Sequence, residues 1–186
     1  MNVKYLVIIP LFFSTIANAN EQPSKAALQV VVELNSVNQA IEGFMYGACN
    51  PKDYIEEICS AAKSFSMPDA DKKQLENELA ALNDKYFELS TLSEIAEFFS
   101  TNTGKLMLAH FRYKYRASMG DTSAEEVKLT ESEQKKILEF MNSPAYKKFN
   151  IKTPEFNQES NSIIYNAVGD SFRKHILSKE NAYNVD

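Results

Sequence analysis

Apolar residues return every three or four positions along nearly the whole of this chain, and that period belongs to one face of an α-helix. Between Ser24 and about Tyr46 the residues Ala27, Val30, Leu34, Val37, Ile41 and Phe44 step in this way, which predicts a first helix. Asn50-Pro51 then offers a cap followed by proline at a first helical position, and Ile55, Ile58, Cys59, Ala62 and Phe65 make the next buried stripe. The pair forms a helical hairpin with Cys49 in its turn. A third, amphipathic helix from Asp69 to Tyr86 carries Leu75, Leu79, Leu82 and Tyr86 on a narrow seam. Ser90 or Thr91 caps a fourth, whose Leu92, Ile95, Ala96 and Phe99 face the core.

After the polar break from Ser100 to Gly104 the chain resumes with Leu108, Phe111, Tyr115 and Met119 at helical spacing. Phe111 to Arg116 also alternates apolar with basic, as a strand does, but the helix-forming lead-in from Lys105 to Ala109 favours helix. Gly120 to Lys128 reads as an exposed connection. Thr130 and Glu133 have the spacing of a capping box, opening a helix through Ile137, Phe140 and Met141 that breaks at Ser143-Pro144. A short helical piece with Tyr146 and Phe149 follows. Thr153-Pro154 is the expected cap of a last long helix bearing Phe156, Ile163, Ile164, Ala167, Val168, Phe172 and Ile176, and the polar tail from Ser178 is expected to fray. The expected fold is therefore all-α, a single-domain bundle of about six helices.

Residues 1–19 have the plan of a secretory leader: Lys4, the apolar run Tyr5 to Phe13, and the small-residue site Ala17-Asn18-Ala19. The run is shorter than the about 20 apolar residues that span a bilayer. Cleavage leaves residues 20–186 as one all-helical domain outside the cytoplasm, in the periplasm or beyond it, with no stable membrane insertion. In an oxidising compartment the two cysteines, Cys49 and Cys59, are expected to pair and staple the N-terminal hairpin. Nine intervening residues fit neither a thioredoxin-type redox site nor a zinc knuckle. The net charge of −5 argues against general affinity for nucleic acid or anionic lipid.

Two segments share a plan at an offset of 42 positions: Glu97-Phe98-Phe99-Ser100-Thr101 and Glu139-Phe140-Met141-Asn142-Ser143, each followed by a lysine, Lys105 or Lys147. Residues 88–107 and 130–149 thus read as two copies of a helix–break–helix unit, which pack together because neither buries its apolar face alone. The second copy, from Leu129-Thr130 through Glu133 to Glu139-Phe140-Met141-Asn142-Ser143-Pro144-Ala145 and Lys147-Lys148, resembles the pattern of the bacterial envelope proteins gathered as domain of unknown function 2059. Met141 stands where that family usually has tyrosine, and Tyr146 where it has glycine. The resemblance spans Phe87 to Phe149 and implies a leader-bearing, all-helical domain; it implies no activity and no catalytic residue.

Catalytic motifs are missing. His110 and His175 are the only histidines, neither has a partner at metal-ligand spacing, and the five glycines are scattered rather than gathered in a phosphate-binding loop. No cofactor or metal is expected. Asp53 with Glu56 or Glu57 is a carboxylate pair of the kind a glycosidase uses, although a negative charge in a helix's first turn has a structural use of its own. The most distinctive feature is Lys105, His110, Arg112, Tyr113, Tyr115 and Arg116, where aromatic and basic residues interleave in an acidic chain. It suits an acidic or anionic partner. The sequence therefore predicts a non-enzymatic binding or interaction module for an envelope protein, a class that includes inhibitor and immunity proteins. A carrier holding an amphiphilic small molecule between helices is the second reading, and a carboxylate-dependent hydrolase a remote third.

Overall fold

The computed structural model describes residues 22–49, 55–118 and 125–183. The expected leader, the Asn50-Pro51 cap, Asp53, Met119 and the first part of the connection from Gly120 lie outside the described residues. Among those described there are eight helices and no strand: α1 (Lys25–Glu33), α2 (Ser36–Ala48), α3 (Glu56–Lys63), α4 (Asp69–Tyr86), α5 (Leu89–Ser100), α6 (Asn102–Ser118), α7 (Glu131–Met141) and α8 (Pro144–Tyr183). The helical class follows the periodicity. The count is eight rather than about six: the anticipated first helix is two, and α6 is a full helix of its own after the break at Thr101.

That helix breaks at Leu34 and Asn35, where Asn35 takes a left-handed conformation (φ 52°), a position asparagine tolerates better than most residues. The turn lets α1 lie between α4 and α5, with Ala27, Val30 and Val31 buried, while α2 turns toward α3 and α8. Ser24 fixes the entry of α1: its hydroxyl accepts from the Ala27 N–H at 3.1 Å and donates to the Asp84 carboxylate at 2.6 Å.

Cys49 and Cys59 are joined, with their Cα atoms 4.7 Å apart. Closing so short a loop stabilises by somewhat under ~3 kcal/mol in chain-entropy terms. Cys59, Ala62 and Phe65 are buried as the stripe predicts, but Ile55 and Ile58 are exposed. Helix α3 has only eight residues: Ile55 precedes it as the N-cap, and the side that meets the bundle is the one carrying Cys59 and Ala62.

In α4 the seam of Leu75, Leu79 and Leu82 is buried, with Asp69 and Asp71 in the first turn and Lys85 in the last, signs that suit the helix dipole. Its end meets α8 through aromatic packing, Phe87 stacking on Phe149 at 4.6 Å and touching Phe156 at 5.7 Å. Helix α5 starts after Glu88 rather than at a Ser90 or Thr91 cap, and Thr91 is buried. The Thr130–Glu133 capping box forms at α7 with both reciprocal bonds.

Thr153-Pro154 caps nothing, and the short piece and last helix predicted around it are one 40-residue helix, α8, running through Pro154 and on to Tyr183 where fraying was expected. Proline cannot donate to the carbonyl four residues back, but Pro154 is exposed, and Thr153 Oγ1 donates to the Phe149 carbonyl at 2.9 Å within the same turn. Helix α8 is the spine of the fold: α4, α5, α2, α3 and α7 all pack on it, and Ala145, Val168 and Phe172 are its buried apolar side chains.

The two segments offset by 42 residues have matching junctions. Thr101 Oγ1 accepts from the Gly104 N–H at 3.0 Å and opens α6; Ser143 Oγ accepts from the Tyr146 N–H at 3.1 Å and opens α8. Thr101 N and Ser143 N donate to the carbonyls of Phe98 and Phe140, and Lys105 N and Lys147 N to those of Thr101 and Ser143. The corresponding rings of Phe98 and Phe140 stack on each other, centroids 3.6 Å apart and planes within 4°. A contact between two copies of one position is what a two-fold relation between units produces.

Candidate functional site

The interleaved basic and aromatic residues all lie on α6, and Phe111 to Arg116 is helix, not strand. Thr101 caps this helix, Gly104 lets it approach α5 closely, and buried Met107 fastens its first half. Beyond Met107 the packing thins: α6 lies against α5 and α7, and neither α4 nor α1 reaches it to a comparable extent. Phe111 is 46% and Tyr115 65% exposed, four residues apart on one face. Lys105, Arg112 and Arg116 share an adjoining face, being seven and eleven residues apart at about 100° per residue. Arg112 is half-buried, with a buried Nε that has no hydrogen-bond partner among the described residues.

The structure divides the sequence-predicted set. His110 is about 200° round the helix from Arg112, and its Nδ1 lies 3.0 Å from the Val127 carbonyl, so it holds the segment before α7 rather than joining the basic face. Tyr113 is half-buried on a third side. What the helix can offer a partner is an aromatic pair, Phe111 and Tyr115, bordered by guanidinium groups, an arrangement suited to carboxylates and apolar side chains together.

A second polar cluster went unnoticed in the sequence. Glu159 on α8 accepts hydrogen bonds from Lys85 Nζ at 2.6 and 2.8 Å and from the Tyr86 hydroxyl at 2.8 Å, and Tyr86 and Glu159 border, with Glu155, Gln158 and Ser162, an open depression of about 460 Å³. No local signal could reveal it, since its members lie 73 and 74 positions apart. The bond from Lys85, then that from Tyr86, holds the Glu159 carboxyl below the ordinary carboxylate range. The bond to Glu159 in turn raises both the Lys85 ammonium and the Tyr86 phenol. All three side chains share these bonds, which makes the cluster a clamp between α4 and α8.

A depressed acid contributes stability that is complete above the ordinary carboxylate range and lost as pH falls through its lowered value. Raised phenol and ammonium groups contribute below their ordinary ranges and lose the contribution as pH rises through the raised values. Glu159→Gln is therefore expected to lower the melting temperature modestly near neutrality, with the difference from wild type closing at both extremes of pH. A pH-independent difference in thermal unfolding would show that the clamp's charges contribute nothing.

No family model, curated protein or solved structure matches the chain.

The other chemistry considered finds little to build on. Among the described residues no three His, Cys, Asp or Glu side chains are placed to hold a metal ion. Glu56 and Glu57 are exposed in the first turn of α3. A second depression, of about 280 Å³ near Asn35, Asn38 and Phe65, is also open. No helix among the described residues is long and apolar enough to cross a membrane.

Proposed function

We propose that this protein is a periplasmic interaction module, of inhibitor or immunity type, that engages an envelope protein through α6. The observation that carries the reading is the outer half of α6, where Phe111 and Tyr115 are exposed beside the half-buried Arg112. Aromatic residues and arginine are the side chains most enriched where protein interfaces concentrate binding energy. The compartment is supported by the leader-like first 19 residues, by the Cys49–Cys59 disulfide and by the similarity of Leu129 to Lys148 to the envelope pattern named above. The carrier reading has weaker support, because the two best-formed depressions are open and a carried amphiphile calls for an enclosed apolar space.

Native mass spectrometry of the protein isolated gently from its host's envelope identifies what accompanies it. A discrete protein partner is the expected result, and a retained amphiphile would replace this reading with the carrier. With the partner in hand, changing Arg112 and Arg116 together to Glu is expected to weaken the complex at least about tenfold, or about 1.4 kcal/mol. Unchanged affinity would remove α6 from the interface.

A further inference from the structure

The matching junctions give α6 a counterpart, and the counterpart shows what α6 lacks. Position by position, 42 residues on, Met107 corresponds to Phe149, Phe111 to Thr153 and Lys114 to Phe156. In α8 this face belongs to α4: Phe149 and Phe156 pack on Phe87, and Phe156 on Tyr86. The ends of the preceding segments also correspond. Lys85 and Tyr86 are bonded to α8 through Glu159, while Val127, the counterpart of Lys85, meets α6 through His110.

The correspondence stops there. Before α5 comes an 18-residue amphipathic helix, but before α7 comes the extended segment 125–130, and only six residues separate it from the end of α6. Six residues make under two helical turns, and among the described residues no helix between α6 and α7 lies along α6 as α4 lies along α8. On α6 the face is covered at Met107, 1% exposed, and open beyond it, where it carries Phe111, 46% exposed, and exposed Lys114, with Arg112 and Tyr115 next to them in sequence.

We propose that this face of α6 is the docking site for one amphipathic helix of a protein partner, apolar along its seam and acidic along its flank, in the place that α4 takes on α8. The inference rests on the reading of α6 as the contact surface. It adds the partner's form and charge. Phe111 requires an apolar seam like the leucines of α4, and exposed Lys114 with Arg112 at the border of the face selects an acidic flank over a basic one. The net charge of −5 sets the chain as a whole against anionic lipid, leaving a protein helix as the occupant.

The test uses ¹⁵N-labelled protein purified after export and two synthetic 18-residue helical peptides. Both carry leucines at the spacing of Leu75, Leu79 and Leu82; one has glutamates on its flanks and the other lysines. The glutamate peptide is expected to shift the amides of Leu108, Phe111, Lys114 and Tyr115 and to bind at least about tenfold more tightly than the lysine peptide. Phe111→Ala and Lys114→Glu, both at exposed positions, are each expected to weaken it about fivefold or more with unchanged melting temperature. Equal affinity for the two peptides, binding to neither, or shifts confined to other helices would overturn the proposal. So would the same amides shifting with protein concentration alone, which would make a second copy the occupant, or with anionic vesicles and not the peptide. If the peptides fail while the Arg112 and Arg116 substitutions still weaken the native complex, α6 is a contact surface for a partner that is not a helix; failure of both removes α6 altogether.

Discussion

Phe172→Ala is expected to destabilise the fold by about 3–5 kcal/mol, the usual range for truncating a buried phenylalanine. The ring is 7% exposed and lies edge-on to Phe44 on α2, at 5.3 Å, and to Phe65 just beyond α3, at 5.4 Å. His175 completes the group, 5.6 Å from Phe65 and with Nε2 3.3 Å from Ser64 Oγ. This one side chain therefore joins the disulfide-bridged hairpin to the spine of the fold, and its loss leaves three elements facing a void that short, cross-linked helices cannot collapse to fill. Urea unfolding measures the change; for a chain of this size the melting temperature should fall by roughly 10 °C. A loss below about 1 kcal/mol would show that the hairpin is not packed on α8 as described.

Gly104→Ala is expected to cost about 3 kcal/mol, at the upper end for inserting a methyl group into a packed site. A Cβ there would press into the Phe98 carbonyl oxygen and lie 2.6 Å from Phe99 Cα and 2.9 Å from Phe98 C. These are backbone atoms of α5, so no side chain can swing aside, and α6 must move bodily away. Gly169→Ala on α8 is the control: nothing lies within 4 Å of the added methyl, and alanine's helix preference should leave stability unchanged or raise it by up to about 1 kcal/mol. Equal effects at the two glycines in the same unfolding assay would contradict the close approach of α5 and α6. Displacing α6 should also weaken peptide binding at Phe111, linking stability to the proposed contact.

Much of this was readable in the residues because helix faces repeat and caps have fixed spacing. Leu75, Leu79 and Leu82, and Leu92, Ile95, Ala96 and Phe99, are buried as their spacing requires, and Thr130 with Glu133 makes the box that the sequence spells. What escaped has physical causes. The step from Leu34 to Val37 is three, so the periodicity runs undisturbed across a break made by one left-handed residue. Pro154 looked like a start because proline favours first turns, but an exposed site lets a long helix carry it. Ile55 precedes a helix of only eight residues, and Ile58 lies off the side of it that meets the bundle. In the candidate site, the lead-in from Lys105 to Ala109 made the helical form of the segment legible, while the separation of His110 from Arg112 depends on where the segment before α7 runs. Glu159 and its partners are brought together by tertiary packing alone.

The position of α1 bears on the order in which the chain can acquire its structure. Ala27, Val30 and Val31 are inserted between α4 and α5, whose facing residues begin at Leu75 and extend to Phe99. A chain delivered from its N-terminus meets its local pairings early: α2 with α3, and Cys49 with Cys59. Helix α1 has no groove to enter until the residues of α5 have followed, so the closure that completes this half of the core joins residues at least 56 positions apart, from Glu33 to Leu89, and is slower than the local pairings. Until then its valines are exposed to whatever else is nearby, so a holding factor that shields them would act early, on the first helix, rather than on the finished bundle.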